Sequence, residues 1–191
     1  MFIKRVLGWL YFQSWNFGLW NPPDRKFLRK SILPRYAKRA ENKNVLFVGV
    51  RRYTKNYENF FSKSKFITID PDPKVSKFGT SHHIEDYVQN LAGYRDTLFK
   101  EGLDVVFLNG VFGYGIDKPA DVANTWRELL THTKPDAAVI VGFNPNLMDE
   151  DSIFESTVFK ENFKPSDCGR RFRMPLLKNA VHEYRFFTRV T

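Results

Sequence analysis

The sequence predicts an α/β domain built on a doubly wound, mostly parallel sheet and preceded by a helical N-terminal extension. Three observations predict it. Short apolar runs ending in turn residues recur from Asn44 onward, longer amphipathic segments separate them, and the runs are apolar nearly throughout instead of alternating. Strands buried on both faces read this way, and the segments between them must then be helices that cover the sheet. At 191 residues the chain has the length of one domain, with the extension at 1–43 and the domain proper at 44–191.

VLFVGV (45–50) is the first strand, by its length and β-branching. FITID (66–70) is the second, closed by Pro71 and Pro73, and HHI (82–84) is a shorter candidate. DVVFLN (104–109) ends at Gly110, and AAVIVGFN (137–144) stops at Pro145. Between them 54–62, 87–100 and 119–133 read as helices. In the last, Val122, Trp126, Leu129 and Leu130 recur at i, i+4, i+7 and i+8 and form one apolar face. After Pro145 a helix is expected within 148–159 and a final strand over HEYRFFTRV (182–190).

Composition narrows the function. The residues are 42% hydrophobic and 16% aromatic, which excludes collagen, coiled coil and wholesale disorder. The single cysteine, Cys168, excludes an internal disulfide framework and fits a reducing compartment, so a cytoplasmic location is expected. No metal site is expected, because no His, Cys or carboxylate set has ligand spacing.

Charge is uneven. Residues 1–44 hold ten Lys/Arg against two acids, while 45–191 hold 20 against 19. Residues 1–20 are rich in aromatics, including Trp9, Trp15 and Trp20, and seven basic side chains follow within 24–39. Gln13, Ser14 and Asn16 break the apolar run too early for a membrane span. Three readings stay open for this quarter: an N-terminal helix whose apolar stripe packs on the domain or covers its active site with a solvated basic linker behind it, peripheral contact with an anionic membrane through residues 1–44, or a grip on single-stranded nucleic acid.

In doubly wound sheets ligands bind beyond the carboxyl ends of the strands, where strand order reverses. That rule selects Gly49, Asp70, Asp86 and Asn109. Gly49 lets a ligand approach the backbone. Asp70 ends a strand about twenty residues later, where a carboxylate accepts hydrogen bonds from both ribose hydroxyls. Asp86 meets ligand or caps the helix that follows it.

The strand-end segments VLFVGV, FITIDPDP, HHIEDY, LDVVFLNGVFGYG and KPDAAVIVGFN together resemble those of class I S-adenosylmethionine-dependent methyltransferases, over about residues 44–145. THTKPDAAVIVG is similar to the family's Lys-Pro-Gly-Gly leader before its fifth strand, with Asp136-Ala137 where the glycines stand. The resemblance implies a Rossmann-like fold of the methyltransferase type and S-adenosylmethionine as cofactor. It places Gly49 and Val50 beside the methionine part, Asp70 on the ribose, Asp86 and the Tyr87 backbone at the adenine edge, and Asn109 and Gly110 at the methyl-transfer cleft. The family's first loop is Gly-x-Gly-x-Gly, and this chain reads Gly49-Val50-Arg51-Arg52-Tyr53. Arg51 or Arg52 is then available to fork onto the cofactor's carboxylate or a substrate phosphate, or stands in a solvated turn.

Expected catalytic residues are His83, as a base titrating near neutrality, and Tyr114, in the glycine-rich loop 109–117. Arg171 and Arg173 are expected to bind an anionic substrate if 167–175 forms a loop folded over the cleft. The function expected is methyl transfer to an oxygen or nitrogen of a small acceptor, such as a sugar or surface-glycan precursor. Two alternatives remain: a catalytically degenerate fold acting as a membrane or assembly partner, and an RNA methyltransferase. Acceptor identity and oligomeric state are not written in these residues.

Overall fold

The computed structural model describes residues 22–39, 43–173 and 181–190, with the side chains of Arg39, Cys168 and Arg173 excepted. The aromatic-rich segment 1–20 lies outside the described residues, and with it the aromatic part of the region 1–44 proposed to meet a membrane. No helix among the described residues is long and apolar enough to cross a membrane.

Seven strands form one sheet: β1 (Asn44–Val48), β2 (Lys65–Ile69), β3 (His83–Ile84), β4 (Leu103–Asn109), β5 (Thr133–Phe143), β6 (Phe163–Arg173) and β7 (Val181–Arg189). Their spatial order is β3-β2-β1-β4-β5-β7-β6. The first five run parallel, and β7 inserts antiparallel between β5 and β6. Strand order reverses between β1 and β4, so the carboxyl ends of these two strands flank the crevice that the topology leaves open.

The chain before β1 is part of the core. A helical stretch runs as α1 (Pro23–Phe27), a wide π turn (Leu28–Ile32) and α2 (Leu33–Arg39). Leu28, Ile32, Leu33 and Tyr36 recur at i, i+4, i+5 and i+8 and are all buried against Phe47, Phe107, Ile140 and Phe186 on one face of the sheet. Burying each such side chain stabilises by about 2 kcal/mol, so this stretch is no solvated linker. The basic residues Lys26, Arg29 and Lys30 occupy the exposed side of the same stretch. The π turn has a local cause: Pro34 has no N–H and its ring crowds the preceding carbonyls, and just before it the Leu33 N–H reaches back five residues to the Leu28 carbonyl.

The opposite face is covered by α4 (Pro119–His132), α5 (Glu150–Phe154) and α6 (Thr157–Asn162). Trp126 is fully buried among Phe154, Phe159 and Phe163, and its indole N–H donates to the Ile153 carbonyl at 2.8 Å. The expected helices at 54–62 and 87–100 are mostly 3₁₀ turns: Arg52–Thr54, Tyr57–Phe61 and Val88–Tyr94, the last running into the one-turn α3 (Arg95–Leu98). Asn90 is non-helical within that turn, and Gly93 follows it. The helix expected within 148–159 is divided into α5 and α6, with Asp149 and Ser156 capping the two starts.

The segment 167–175 is not a loop over the cleft. Through Arg173 it belongs to β6, the outer strand of the sheet, paired with β7. Asp136, which stands where the family has a glycine, takes the left-handed φ of 61°. Asp tolerates that region better than most side chains.

Candidate functional site

A cleft of about 180 Å³ opens at the crevice between β1 and β4. Its floor is Gly49, which leaves β1 with φ +89°. A Cβ there would fall 2.8 Å from the Asn109 carbonyl oxygen, so only glycine fits both the conformation and the contact with β4. Gly110, at φ +68°, forms the matching bend after β4, and its N–H donates to the Gly142 carbonyl at 2.8 Å. Both glycines line the cleft.

Asp70 follows β2 and is 5% exposed. Its Oδ2 accepts the Val50 N–H at 2.8 Å and the Arg51 guanidinium at 2.9 Å, and its Oδ1 accepts the Asp72 N–H at 3.0 Å. A carboxylate offers about four acceptor positions, so three are filled from within the chain. Arg51 also donates to the Val50 carbonyl at 2.6 Å. Its guanidinium therefore stands in the cleft on the carboxylate, where the resembling family has a bare glycine loop.

The side wall is Asp86, Tyr87, Val88 and Gln89. Asp86 Oδ1 accepts the Tyr87 N–H and the Asn90 side chain, both at 2.7 Å, and Oδ2 accepts the Tyr94 hydroxyl at 3.0 Å. Desolvation raises its pKa, but the bonds from Asn90, the Tyr87 N–H and Tyr94 together outweigh it and hold the carboxyl below the usual range. The Tyr87 N–H, expected at the adenine edge, is thus already used by Asp86. The open polar group on this wall is the buried Gln89 Oε1, which has no partner among the described residues.

Tyr114 lines the mouth at 58% exposure, and Tyr87 at 55%. His83 is not among the lining residues. It sits beside Gly79 on the β3 side, its Nδ1 3.0 Å from the Thr68 hydroxyl, and burial pushes its imidazole below the ordinary value. Arg171 is also outside the lining set, ion-paired with Glu183 of β7. The Arg173 side chain lies outside the described residues. No group of three potential metal ligands occurs among the described residues.

No protein-family model matches the chain, and no curated protein sequence matches it. Solved structures do. The N-methyltransferase NodS from Bradyrhizobium japonicum WM9 is similar with a TM-score of 0.67 at 12% identity, over 90% of this chain and 100% of its own. The same enzyme in complex with S-adenosyl-L-homocysteine gives 0.65 at 12%, over 88% and 89%. An rRNA methylase from Streptococcus thermophilus gives 0.58 at 12%, over 84% and 95%. Together with the strand order, these likenesses establish that the chain has the fold of the class I S-adenosylmethionine-dependent methyltransferases.

Proposed function

We propose that this chain is an S-adenosylmethionine-dependent methyltransferase acting on a nitrogen or oxygen of a small acceptor. The observation that carries the reading is the buried Asp70 carboxylate at the switch-point cleft, facing a glycine floor that no side chain fits. Gly49 and Gly110 supply close backbone approach, Asp70 the ribose contact, and Gln89 an acceptor for an amino N–H of the base, while Val50, expected beside the methionine part, is buried outside the cleft lining with its N–H held by Asp70. Asp86 holds that wall rigid through its three bonds. The bound cofactor supplies an electrophilic methyl on a sulfonium, so the protein's work is alignment and exclusion of water. Tyr114 and Tyr87 flank the mouth and close over a planar or apolar part of the ligands. His83 has no part in this reading, and neither does Arg171.

Arg51 departs from a bare nucleoside site. A ribose diol needs two positions on Asp70, and only one is open, so Arg51 must release Oδ2 when the nucleoside enters. Its freed guanidinium then suits the cofactor's carboxylate.

Calorimetric titration of the full chain with S-adenosylhomocysteine tests the reading. Micromolar binding, weakened several-fold in Gln89→Ala, is expected. Absence of heat and of thermal stabilisation at millimolar ligand overturns it and favours the degenerate fold, whose specific support is the same Arg51–Asp70 pair. The RNA reading draws on the exposed Lys26, Arg29 and Lys30 and predicts RNA affinity that falls steeply with salt.

A further inference from the structure

The loop that leaves β1 is held from two sides. On the cleft side Asp70 accepts the Val50 N–H and the Arg51 guanidinium. On the other side stands Arg25 of α1, whose guanidinium lies 4.4 Å over the Tyr53 ring. The Arg25 side chain is 11% exposed and pairs at 3.4 Å with the fully buried Asp24. A guanidinium taken out of water and laid on an aromatic face makes a stronger contact than an exposed one. The packing around it fixes it there. The Tyr184 hydroxyl donates to the Asp24 backbone carbonyl at 3.4 Å, and Leu28 is fully buried in the core that Tyr53 also packs against.

Arg51 and Tyr53 belong to one closed turn. The Arg51 N–H donates to the Thr54 hydroxyl at 3.1 Å, and that hydroxyl donates to the Arg51 carbonyl at 2.7 Å. The Thr54 N–H donates to the same carbonyl at 2.9 Å, and Thr54 is itself buried. Tyr53 lies inside this turn and is not a lining residue of the cleft, whereas Arg51 is. A shift of the ring is therefore passed to the backbone that carries the Arg51 side chain.

We propose that Arg25 is a positioning residue of the cofactor site: through Tyr53 it fixes the base from which Arg51 turns from Asp70 to the carboxylate of the bound cofactor. The proposal rests on the methyltransferase reading above. It makes the helical stretch before β1 part of the cofactor site, although none of its described residues lines the cleft. The device works by preorganisation, since a guanidinium on a fixed backbone loses less freedom when it closes on a carboxylate. It acts on the amino-acid end of the cofactor alone, because the nucleoside end meets Asp70, Gly49 and Gln89. Ligands with and without that carboxylate must then respond differently.

The test is calorimetric titration of the full chain with S-adenosylhomocysteine and with adenosine, which has the nucleoside and no carboxylate. Tyr53→Leu keeps apolar packing and removes the aromatic face. It should weaken S-adenosylhomocysteine about fivefold and leave adenosine within about twofold. Tyr53→Phe keeps the face and should restore the affinity. In an Arg51→Ala background Tyr53→Leu should add nothing, since the group it positions is gone. Arg25→Met would strand the Asp24 carboxylate in the core. Arg25→Lys keeps the charge, loses the planar stack and provides the same split between ligands if Tyr53→Leu does not fold. Equal weakening of both ligands, or an undiminished effect in the Arg51→Ala background, means that the ring only supports the fold and overturns the proposal. Unchanged S-adenosylhomocysteine affinity in Tyr53→Leu overturns it too, and both results leave the methyltransferase reading standing. No binding of S-adenosylhomocysteine by the unaltered chain removes that reading first, and the positioning role falls with it.

Discussion

Asp70 and Asn109 occupy matching places on either side of β1, one after β2 and one at the end of β4, and both are buried to within 5% exposure. Asp70 has three bonds from its own chain, and the Asn109 side chain has none among the described residues. The first is the keystone of its loops: Val50, Arg51 and Asp72 are all fixed to one carboxylate. The second is carried at a cost to stability, since an unpaired buried polar group costs about 1–3 kcal/mol. The Asp70 side of the crevice is therefore satisfied from within its own chain, and the Asn109 side chain at the end of β4 is not.

The largest effect should separate the two. Asp70→Ala removes the partner of two backbone N–H groups and a guanidinium, and should cost about 3 kcal/mol of folding stability. Asn109→Leu keeps the shape and removes the unpaired atoms, so it should be neutral or stabilise by up to about 1 kcal/mol. Urea unfolding of both variants checks this. A large loss in Asn109→Leu would show that the amide has an internal partner and would erase the contrast. The same measurement cautions against Asp70→Ala as a cofactor probe, because the loop collapses with the site.

The next effect is in pH. Burial and Arg25 hold the His182 imidazole well below its ordinary value. Below about pH 6.5 the unfolded chain then binds more protons than the folded one, so stability is lost as pH falls through 6.5 toward the folded value. His83 and His132 are lowered too, burial being the largest cause in each, and add slopes of the same sign. His182→Asn removes one of the three and should flatten the loss by at most about 1.4 kcal/mol per pH unit. Comparing unfolding midpoints at about pH 7.5 and about pH 5.5 reads the difference. An unchanged slope would place His182 in contact with water.

The two halves were also unequally legible in the sequence. Gly49, Asp70 and Asp86 follow from strand ends, because the apolar runs fix the strands and the topology fixes which end binds; Tyr87 and Gly110 came with the resemblance, and Tyr114 with the glycine-rich loop after β4. The periodicity of Val122, Trp126 and Leu129 likewise gave α4. Helical spacing is equally present at Leu28, Ile32, Leu33 and Tyr36, where the basic residues interleaved with them give the segment the composition of a solvated linker. The strand β6 was hidden by Pro165 and Gly169 and by two shifts in its pairing; its extended form comes from β7, not from local preference. The approach of Asn109 and His182 at Gly142 has no local signature, since they meet only through the antiparallel insertion of β7 beside β5.

The smallest effect concerns Arg51, which makes the Asp70 side so complete. With three of about four positions on the carboxylate taken, a ribose diol competes with the guanidinium for Oδ2. Adenosine, which has no carboxylate of its own, reads that competition alone. Arg51→Ala should tighten adenosine by about threefold, or about 0.7 kcal/mol, the worth of one exposed ion pair. The Arg51 side chain is 44% exposed, which keeps the gain at that level. S-adenosylhomocysteine should gain less or lose affinity, because it offers the displaced guanidinium a carboxylate. Equal gains for both ligands would mean that Arg51 only blocks the site, and the crevice would then be a nucleoside pocket held shut by its own loop.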